Sequence, residues 1–432
     1  MGAIMKSRIS GKQISMSDLM FSISEAMDIA HHKLALHQLR TAYICWKMAE
    51  EAALPPAQIE KLFLAAMLHD IGAFTAQEKI SHYDFEANNC ERHCLRGALI
   101  YSQVPWLARS AKMVRLHHTP WCRCSESIDA PDVLEAQMLM LAESLEREID
   151  RDTHILNQSS ALRERIRNQA GSLIHVRVVE LFLCVSENEA FWLELTTPNL
   201  MNFLKYKGPV QHIYGDAAAA LKMEEFFTAI IDFRSKYTAT HTAGVSSCTS
   251  SLGVLLGLPE SERLELNLAA TLHDLGKIGV PNEILEKPGR LTPQEFAMIK
   301  MHSYLTFTLL DSVKGLEDVA RIAGSHHEKL DGSGYPFRIE SDEISTSSRI
   351  VAVSDVFTAL AEDRPYRDGL APKQIRQIMQ EMVSRRHLDG RIVEHLLGNV
   401  DEVVRAMKVR QQQWSERYFN VVSMNGGAFG SL

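Results

Sequence analysis

Cysteine is scarce. Seven in 432 residues, odd in number and irregularly spaced, exclude a disulfide-stapled scaffold and fit a reduced, cytoplasmic protein. With only 14 prolines and 23 glycines, collagen-like and low-complexity chains are excluded as well. No apolar run approaches the ~18–20 uncharged residues that span a bilayer; the strongest, 178–185, is short and contains Glu180. Membrane insertion is therefore not expected. The first twenty residues hold Lys6, Arg8 and Lys12 but no compact apolar stretch, so they do not read as a signal peptide. An excess of basic residues is missing too: 46 Lys and Arg against 54 Asp and Glu leave a net charge of −8. A general DNA or RNA polymer binder, which gains affinity by neutralising phosphates, is excluded on that ground. An anionic ligand would need a local pocket with its own cations.

What is present is a repeat. Leu64-Ala65-Ala66-Met67-Leu68-His69-Asp70-Ile71-Gly72 returns as Leu268-Ala269-Ala270-Thr271-Leu272-His273-Asp274-Leu275-Gly276, with seven of nine positions identical. His37 precedes His69 by 32 residues, as His241 precedes His273. His93 precedes His117-His118 by 24, as His302 precedes His326-His327. A period above 200 residues is a tandem domain duplication rather than a solenoid repeat. Strand-type alternation is scarce, whereas 17–51, 59–68, 221–236, 260–272 and 372–385 are dense in helix formers. The expected fold is all-α, in two related domains. Residues 1–205 form the first and 206–410 the second, with a linker over 199–215 and, over 411–432, a final helix turn and a Gly/Ser-rich tail.

The second half brings His241, His273, Asp274, His302, His326, His327 and Asp355. A lone histidine in a helix is ordinary; seven such residues, most duplicated at matching intervals, are not. Nitrogen and oxygen ligands without thiolate suit Fe, Mn, Co or Zn and are too nitrogen-rich for Mg or Ca. Seven ligands exceed the needs of one ion, so two ions sharing a carboxylate are the economical arrangement, and two metals serve in-line displacement at phosphorus. Adjacent His273 and Asp274 point about 100° apart on a helix. Both can face one site only at a helix end, which Gly276 supports.

Three blocks together resemble the HD-GYP subfamily of HD phosphohydrolases over about 221–404. They are His273-Asp274-Leu275-Gly276-Lys277-Ile278-Gly279-Val280-Pro281, then His326-His327-Glu328-Lys329-Leu330-Asp331-Gly332-Ser333-Gly334-Tyr335-Pro336, then Asp355 with Arg364-Pro365-Tyr366-Arg367. The resemblance implies an all-helical hydrolase of cyclic dinucleotide messengers, cyclic di-GMP or 3′,3′-cyclic GMP-AMP, giving a linear product. It implies two divalent transition-metal ions, Fe or Mn foremost, with Ni, Co and Zn as alternatives. Asp274 would bridge them, with His241, His273 and Asp355 on one ion and His302, His326 and His327 on the other. Lys277 would contact the scissile phosphate, Arg364 and Arg367 would hold substrate phosphate, and Gly334, Tyr335 and Pro336 would form a loop beside the site. A receptor that binds without turnover and a hydrolase of other nucleotides remain alternatives.

Several positions depart from the family pattern. Tyr237 stands where three-metal members carry glutamate; Ser303 and Thr306 replace Pro and Gly, and Thr358 replaces a frequent Asp. The first half keeps His37, His69, Asp70, His93, His117 and His118, with Glu143 in the place of Asp355. It has Ala73 in place of Lys277 and no Gly-Tyr-Pro loop. The expectation is a noncatalytic domain that regulates or homodimerises, with metal retention open. Cys90, Cys94, Cys122 and Cys124 are either reduced structural cysteines or a thiolate zinc set.

Overall fold

The computed structural model describes residues 13–29, 35–74, 78, 90–211, 213–232, 240–287, 289–362 and 369–422. It is almost wholly helical. The first half comprises α1 (Met16–Ile29), α2 (His37–Glu51), α3 (Pro56–Met67), α4 (Cys90–Ser102), α5 (Ala111–Leu116), α6 (Val133–Glu148), α7 (Ile155–Arg167) and α8 (Val176–Val185). Helices α9 (Glu189–Leu195), α10 (Leu200–Lys207) and α11 (Ala217–Leu221) connect it to the second half. There follow α12 (Glu224–Asp232), α13 (His241–Leu255), α14 (Glu260–Leu272), α15 (Asn282–Leu285), α16 (Pro293–Asp311) and α17 (Glu317–Gly324). The chain ends with α18 (Thr346–Ala361), α19 (Pro372–Ser384), α20 (Gly390–Gly398) and α21 (Val400–Val422). Among the described residues one small antiparallel pair, Ile14–Ser15 with Tyr214–Gly215, is the only sheet.

The duplication is visible element by element. Helices α2 and α13 each begin on a histidine; α3 and α14 each run into a short 3-10 turn, His69–Gly72 and Leu275–Gly279. Helix ends are set by local chemistry. In α16, Pro293 occupies the first turn while the Thr292 hydroxyl and Glu295 carboxylate accept from each other's backbone N–H, a reciprocal cap. Glycine is required after each His-Asp pair. A Cβ on Gly276 would lie 2.1 Å from the His302 carbonyl oxygen, and one on Gly72 would lie 2.0 Å from that of His93. These close approaches lock each motif turn onto the helix bearing the next histidine.

The two halves share one buried core. Helix α1 crosses onto the second half: Ser22 donates to the Leu309 carbonyl at 2.7 Å, and Ile29 touches the backbone beside Gly279. Four expectations need correction. The helical run over 17–51 is two helices with residues 30–34 outside the described set, and the run over 221–236 is broken after Leu221, with α12 over Glu224–Asp232 and residues 233–236 outside the described set. The segment 199–215 is not an open linker: Leu200 and Leu204 are fully buried, giving α10 an apolar face, and Tyr214–Gly215 is paired. The tail does not begin at 411, because α21 continues to Val422 and buries Trp414.

Candidate metal centre

Helix α14 stops at Leu272, so His273 sits at its end and Asp274 begins the following turn. Both side chains therefore reach one site. His241 enters from the start of α13, His302 from the middle of α16, His326 and His327 from just beyond α17, and Asp355 from α18. The structure brings all seven together in three overlapping groups: His241, His273 and Asp355; His302, His326 and His327; and His273, Asp274 and His326. Ligand atoms within each group lie within 4.8 Å of one another. Asp274 stands between them. Its Oδ2 faces Nε2 of His273 at 3.2 Å and of His241 at 3.9 Å, and its Oδ1 faces His302 at 3.4 Å and His326 at 3.9 Å.

Tautomers are set from behind. The Nδ1–H groups of His273, His302 and His326 donate to the carbonyls of Ala270, Ile299 and Ala323 at 2.7, 2.6 and 2.6 Å. A carbonyl can only accept, so in the neutral rings each Nε2 carries a lone pair turned into the site. His302 and His326 aim those lone pairs at each other across 3.3 Å. Two nitrogens sharing an ion at about 2.1 Å lie about 3 Å apart. Burial, with nearby His327 and Lys277, holds the His302 pKa down to about 3. Burial likewise holds His327 at about 4 and His326 well below its ordinary range. Burial alone would raise the Asp274 carboxyl, but His273, Lys277 and His302 outweigh it and keep it well below the usual range. Neutral imidazoles around an ionised carboxylate are what a transition-metal ion requires, and the buried His273 Nε2 has no hydrogen-bond partner of its own. The residues fit the group.

Lys277 lies at the partly open rim and donates to Asp274 Oδ2 at 2.5 Å. The Gly334-Tyr335-Pro336 loop folds back on His327: Tyr335 N–H reaches the His327 carbonyl at 3.3 Å, and the two ring centroids are 4.8 Å apart. A Cβ on Gly334 would meet Glu328 Cα at 2.5 Å, so glycine alone permits the approach. The Tyr335–Pro336 peptide is cis. Arg364, Arg367 and Tyr237 lie outside the described residues.

Sequence reasoning missed four supporting side chains. Glu362 accepts from His241 Nδ1 at 2.8 Å. Asp232 accepts from the Thr242 backbone and hydroxyl, both at 3.0 Å, pinning the start of α13. Glu328 accepts from Phe337 N and Arg338 N at 2.7 and 3.0 Å, which holds the exit of the loop. Thr306 accepts from Gly276 N and donates to the His273 carbonyl, at 2.9 and 3.0 Å, so its departure from the family glycine adds ties to the motif turn. Only Asp232 had a signal: Asp28 precedes His37 by the nine residues that separate Asp232 from His241, and it accepts from Gln38 N at 3.2 Å.

The first half assembles a related cluster. His37, His69, Asp70 and Glu143 form one group, and His93, His117 and His118 another. Ala73 occupies the lysine position and is buried. Among the described residues the cysteines of the set do not gather: Cys122 is exposed, the Cys124 sulfur is directed to the Glu126 carbonyl, and Cys94 is buried beside His93 and His117; the Cys90 side chain lies outside the described residues.

Comparison with known proteins agrees with this duplication. HD-domain family models match residues 34–148 and 225–392. The 3′3′-cGAMP-specific phosphodiesterase 1 of Vibrio cholerae is 28% identical over 419 residues, 92% of this chain and 95% of that protein. The 3′3′-cGAMP-specific phosphodiesterase 3 of the same organism is 35% identical over 219 residues, about half of each chain. A cyclic di-GMP phosphodiesterase of Thermotoga maritima is 39% identical over 177 residues, 37% of this chain and 47% of its own length. The crystal structure of the cyclic GMP-AMP specific phosphodiesterase V-cGAP3 of Vibrio cholerae shares the fold, with a TM-score of 0.60 at 24% identity over 89% of this chain and 97% of that one. No described helix is long and apolar enough to cross a membrane.

Proposed function

We propose that this chain, which belongs to the HD-domain family and carries the domain twice, is a metal-dependent phosphodiesterase that opens cyclic dinucleotides to linear products. The observation that carries the reading is the position of Asp274, whose two carboxylate oxygens face two separate sets of imidazoles. It is supported by the relatives, whose names divide between 3′3′-cGAMP and cyclic di-GMP phosphodiesterases.

His241, His273 and Asp355 would hold one ion, His302, His326 and His327 the other, with Asp274 shared. When bound, the ions would polarise a phosphoryl oxygen and lower the pKa of an attacking water. The chain's own groups do the rest. Lys277, at the mouth, places an ammonium where charge builds on the phosphate. Tyr335, tilted against His327, would offer a flat face beside the scissile group. Arg364 and Arg367 would hold substrate phosphate through their planar forks. The first domain, with Ala73 and no such loop, would be noncatalytic.

Incubation of the metal-loaded full chain with cyclic di-GMP and with 3′,3′-cyclic GMP-AMP tests this. Linear dinucleotide should accumulate from at least one, and Asp274→Ala should abolish it. Both substrates surviving intact with Mn²⁺ and with Fe²⁺ would overturn the assignment. The relative aligned along both domains acts on 3′3′-cGAMP, so that substrate is expected to turn over.

A further inference from the structure

We infer that the first domain binds a single structural ion of the zinc class through His93, His117, His118 and the thiolate of Cys94. The Nε2 atoms of His93 and His117 are 3.2 Å apart. The Cys94 sulfur stands 3.7 Å from the first and 4.0 Å from the second. A tetrahedral ion with bonds of about 2.1 Å to nitrogen and about 2.3 Å to sulfur has edges of about 3.4 Å between nitrogens and about 3.6 Å between nitrogen and sulfur. The three separations among His93, His117 and Cys94 are close to those edges. His118 brings a third imidazole within 4.8 Å of the other two; its Nε2 lies 3.3 Å from Glu143 Oε2, a contact it would give up to join Cys94 in the shell. His117 donates from Nδ1 to the Val114 carbonyl at 2.5 Å, which turns its Nε2 lone pair inward. Asp70 Oδ1, buried and without a hydrogen-bond partner, lies on the same side, 3.8 Å from His93 Nε2.

The other side of the cluster is already occupied by protein donors. The buried Arg147 guanidinium is bonded to Glu143, and the fully buried Gln38 amide donates to Asp70 Oδ2 at 3.2 Å. At the matching positions the second domain has Ala359, four residues after Asp355, and Thr242, whose hydroxyl is turned to Asp232. Lys277 also touches its carboxylate, but from a flexible stem at the rim that can swing to solvent; Gln38 and Arg147 have no such exit. The first domain thus retains one ion pocket rather than two. In that pocket it carries a thiol where the second domain carries the Ser303 hydroxyl. Three imidazoles and a thiolate select a borderline-soft ion, and four protein ligands close its shell to substrate. Binding would release the Cys94 thiol proton to solvent.

The full-length chain, stripped by a chelator and reloaded with Co²⁺, distinguishes this pocket from the hydrolytic centre, which has no sulfur ligand. Sulfur-to-cobalt charge-transfer absorption in the near ultraviolet should appear in the wild type and vanish in Cys94→Ser. A variant-free check is zinc-edge X-ray absorption on the zinc-loaded wild type, which should contain a sulfur scatterer at about 2.3 Å. A wild-type chain without the cobalt band or without the sulfur scatterer overturns the inference, as does a band that survives Cys94→Ser. None of these readouts depends on whether the second domain hydrolyses anything.

Discussion

The Glu362 carboxylate is 2.8 Å from Nδ1 of His241, while Nε2 of the same ring is 3.1 Å from Asp355. One imidazole is thus gripped from behind by one acid and presented toward another. The first domain repeats the device with Glu146 on His37 Nδ1 at 2.5 Å. A carboxylate behind a ligating histidine fixes its tautomer and raises its basicity, and losing such a partner typically weakens metal binding about 10–100-fold. Glu362→Ala should therefore lower metal affinity by about that factor in a chelator competition. Unchanged affinity would remove Glu362 from the site.

The support of Glu362 extends to the C-terminal helix. Gln411 donates to Glu362 Oε2 at 3.3 Å and to the Thr240 carbonyl at 3.4 Å, and Trp414, one turn on, is 1% exposed. Trp414→Ala should cost about 3–5 kcal/mol of unfolding free energy, the usual loss for a deleted core aromatic. Truncation after Arg410 should cost stability and also loosen the metal, because it removes Gln411. Denaturant titration and chelator competition on the two variants separate the effects. A truncated chain with wild-type stability would mean that α21 past 410 carries no packing.

Six of the seven residues that gather at the site were legible because duplication repeated the 32-residue and 24-residue spacings of their blocks, and because His273-Asp274-Leu275-Gly276 describes a helix end that puts both side chains on one site; Asp355, with Glu143 at a different spacing, was legible only through the family resemblance. The all-α fold was legible from composition and helix periodicity. What stayed hidden depends on tertiary partners. Glu362 lies outside every motif block, and nothing local to it shows that it will stand behind a histidine 121 residues earlier. Helix α1 is buried on nearly every face, 11 of its 14 residues, and nothing in its own residues names the second half as one of the surfaces that cover it. The apolar face of α10 was masked by Lys205, Lys207 and Gly208. Cys94 was read with the other cysteines, although the fold places it against histidines.

Lys277 offers a test of division of labour at the site. Its ammonium touches Asp274 Oδ2 from the rim, yet a charged amine cannot ligate a cation. Lys277→Ala should leave metal content unchanged and lower kcat by about 10²–10³-fold, the scale for removing one donor that serves developing charge. Steady-state kinetics alongside elemental analysis reads both. A rise in KM with kcat unchanged would reduce Lys277 to a docking group.

Acid should unfold the metal-free chain earlier than its carboxylates alone would dictate. Burial lowers the pKa of His302 and His117 to about 3, of His327 to about 4, and of His326 well below its ordinary value. In the unfolded chain each titrates near about 6.5. Above that pH both states are neutral and stability does not change on their account. Below it the unfolded chain takes up protons that the folded chain refuses, so stability falls as pH falls. Each ring contributes up to about 1.4 kcal/mol per pH unit, and four together set a ceiling of about 5.5 kcal/mol per unit. His37 adds little slope here. Burial works to lower its pKa, but Glu146 and Asp70 prevail and raise it to about 10, so the folded chain keeps it protonated throughout; the unfolded chain protonates it within about a unit below 6.5, and from there down it adds no slope. The buried acids whose carboxyls are depressed, Asp70, Asp274, Asp355, Glu143 and Glu146, begin to matter only below their unfolded values, about 4. The urea midpoint of the chelator-stripped protein should therefore drop steadily between pH 6.5 and 4.5. A flat midpoint across that interval would mean these imidazoles accept protons in the folded state, and so are not held as neutral ligands.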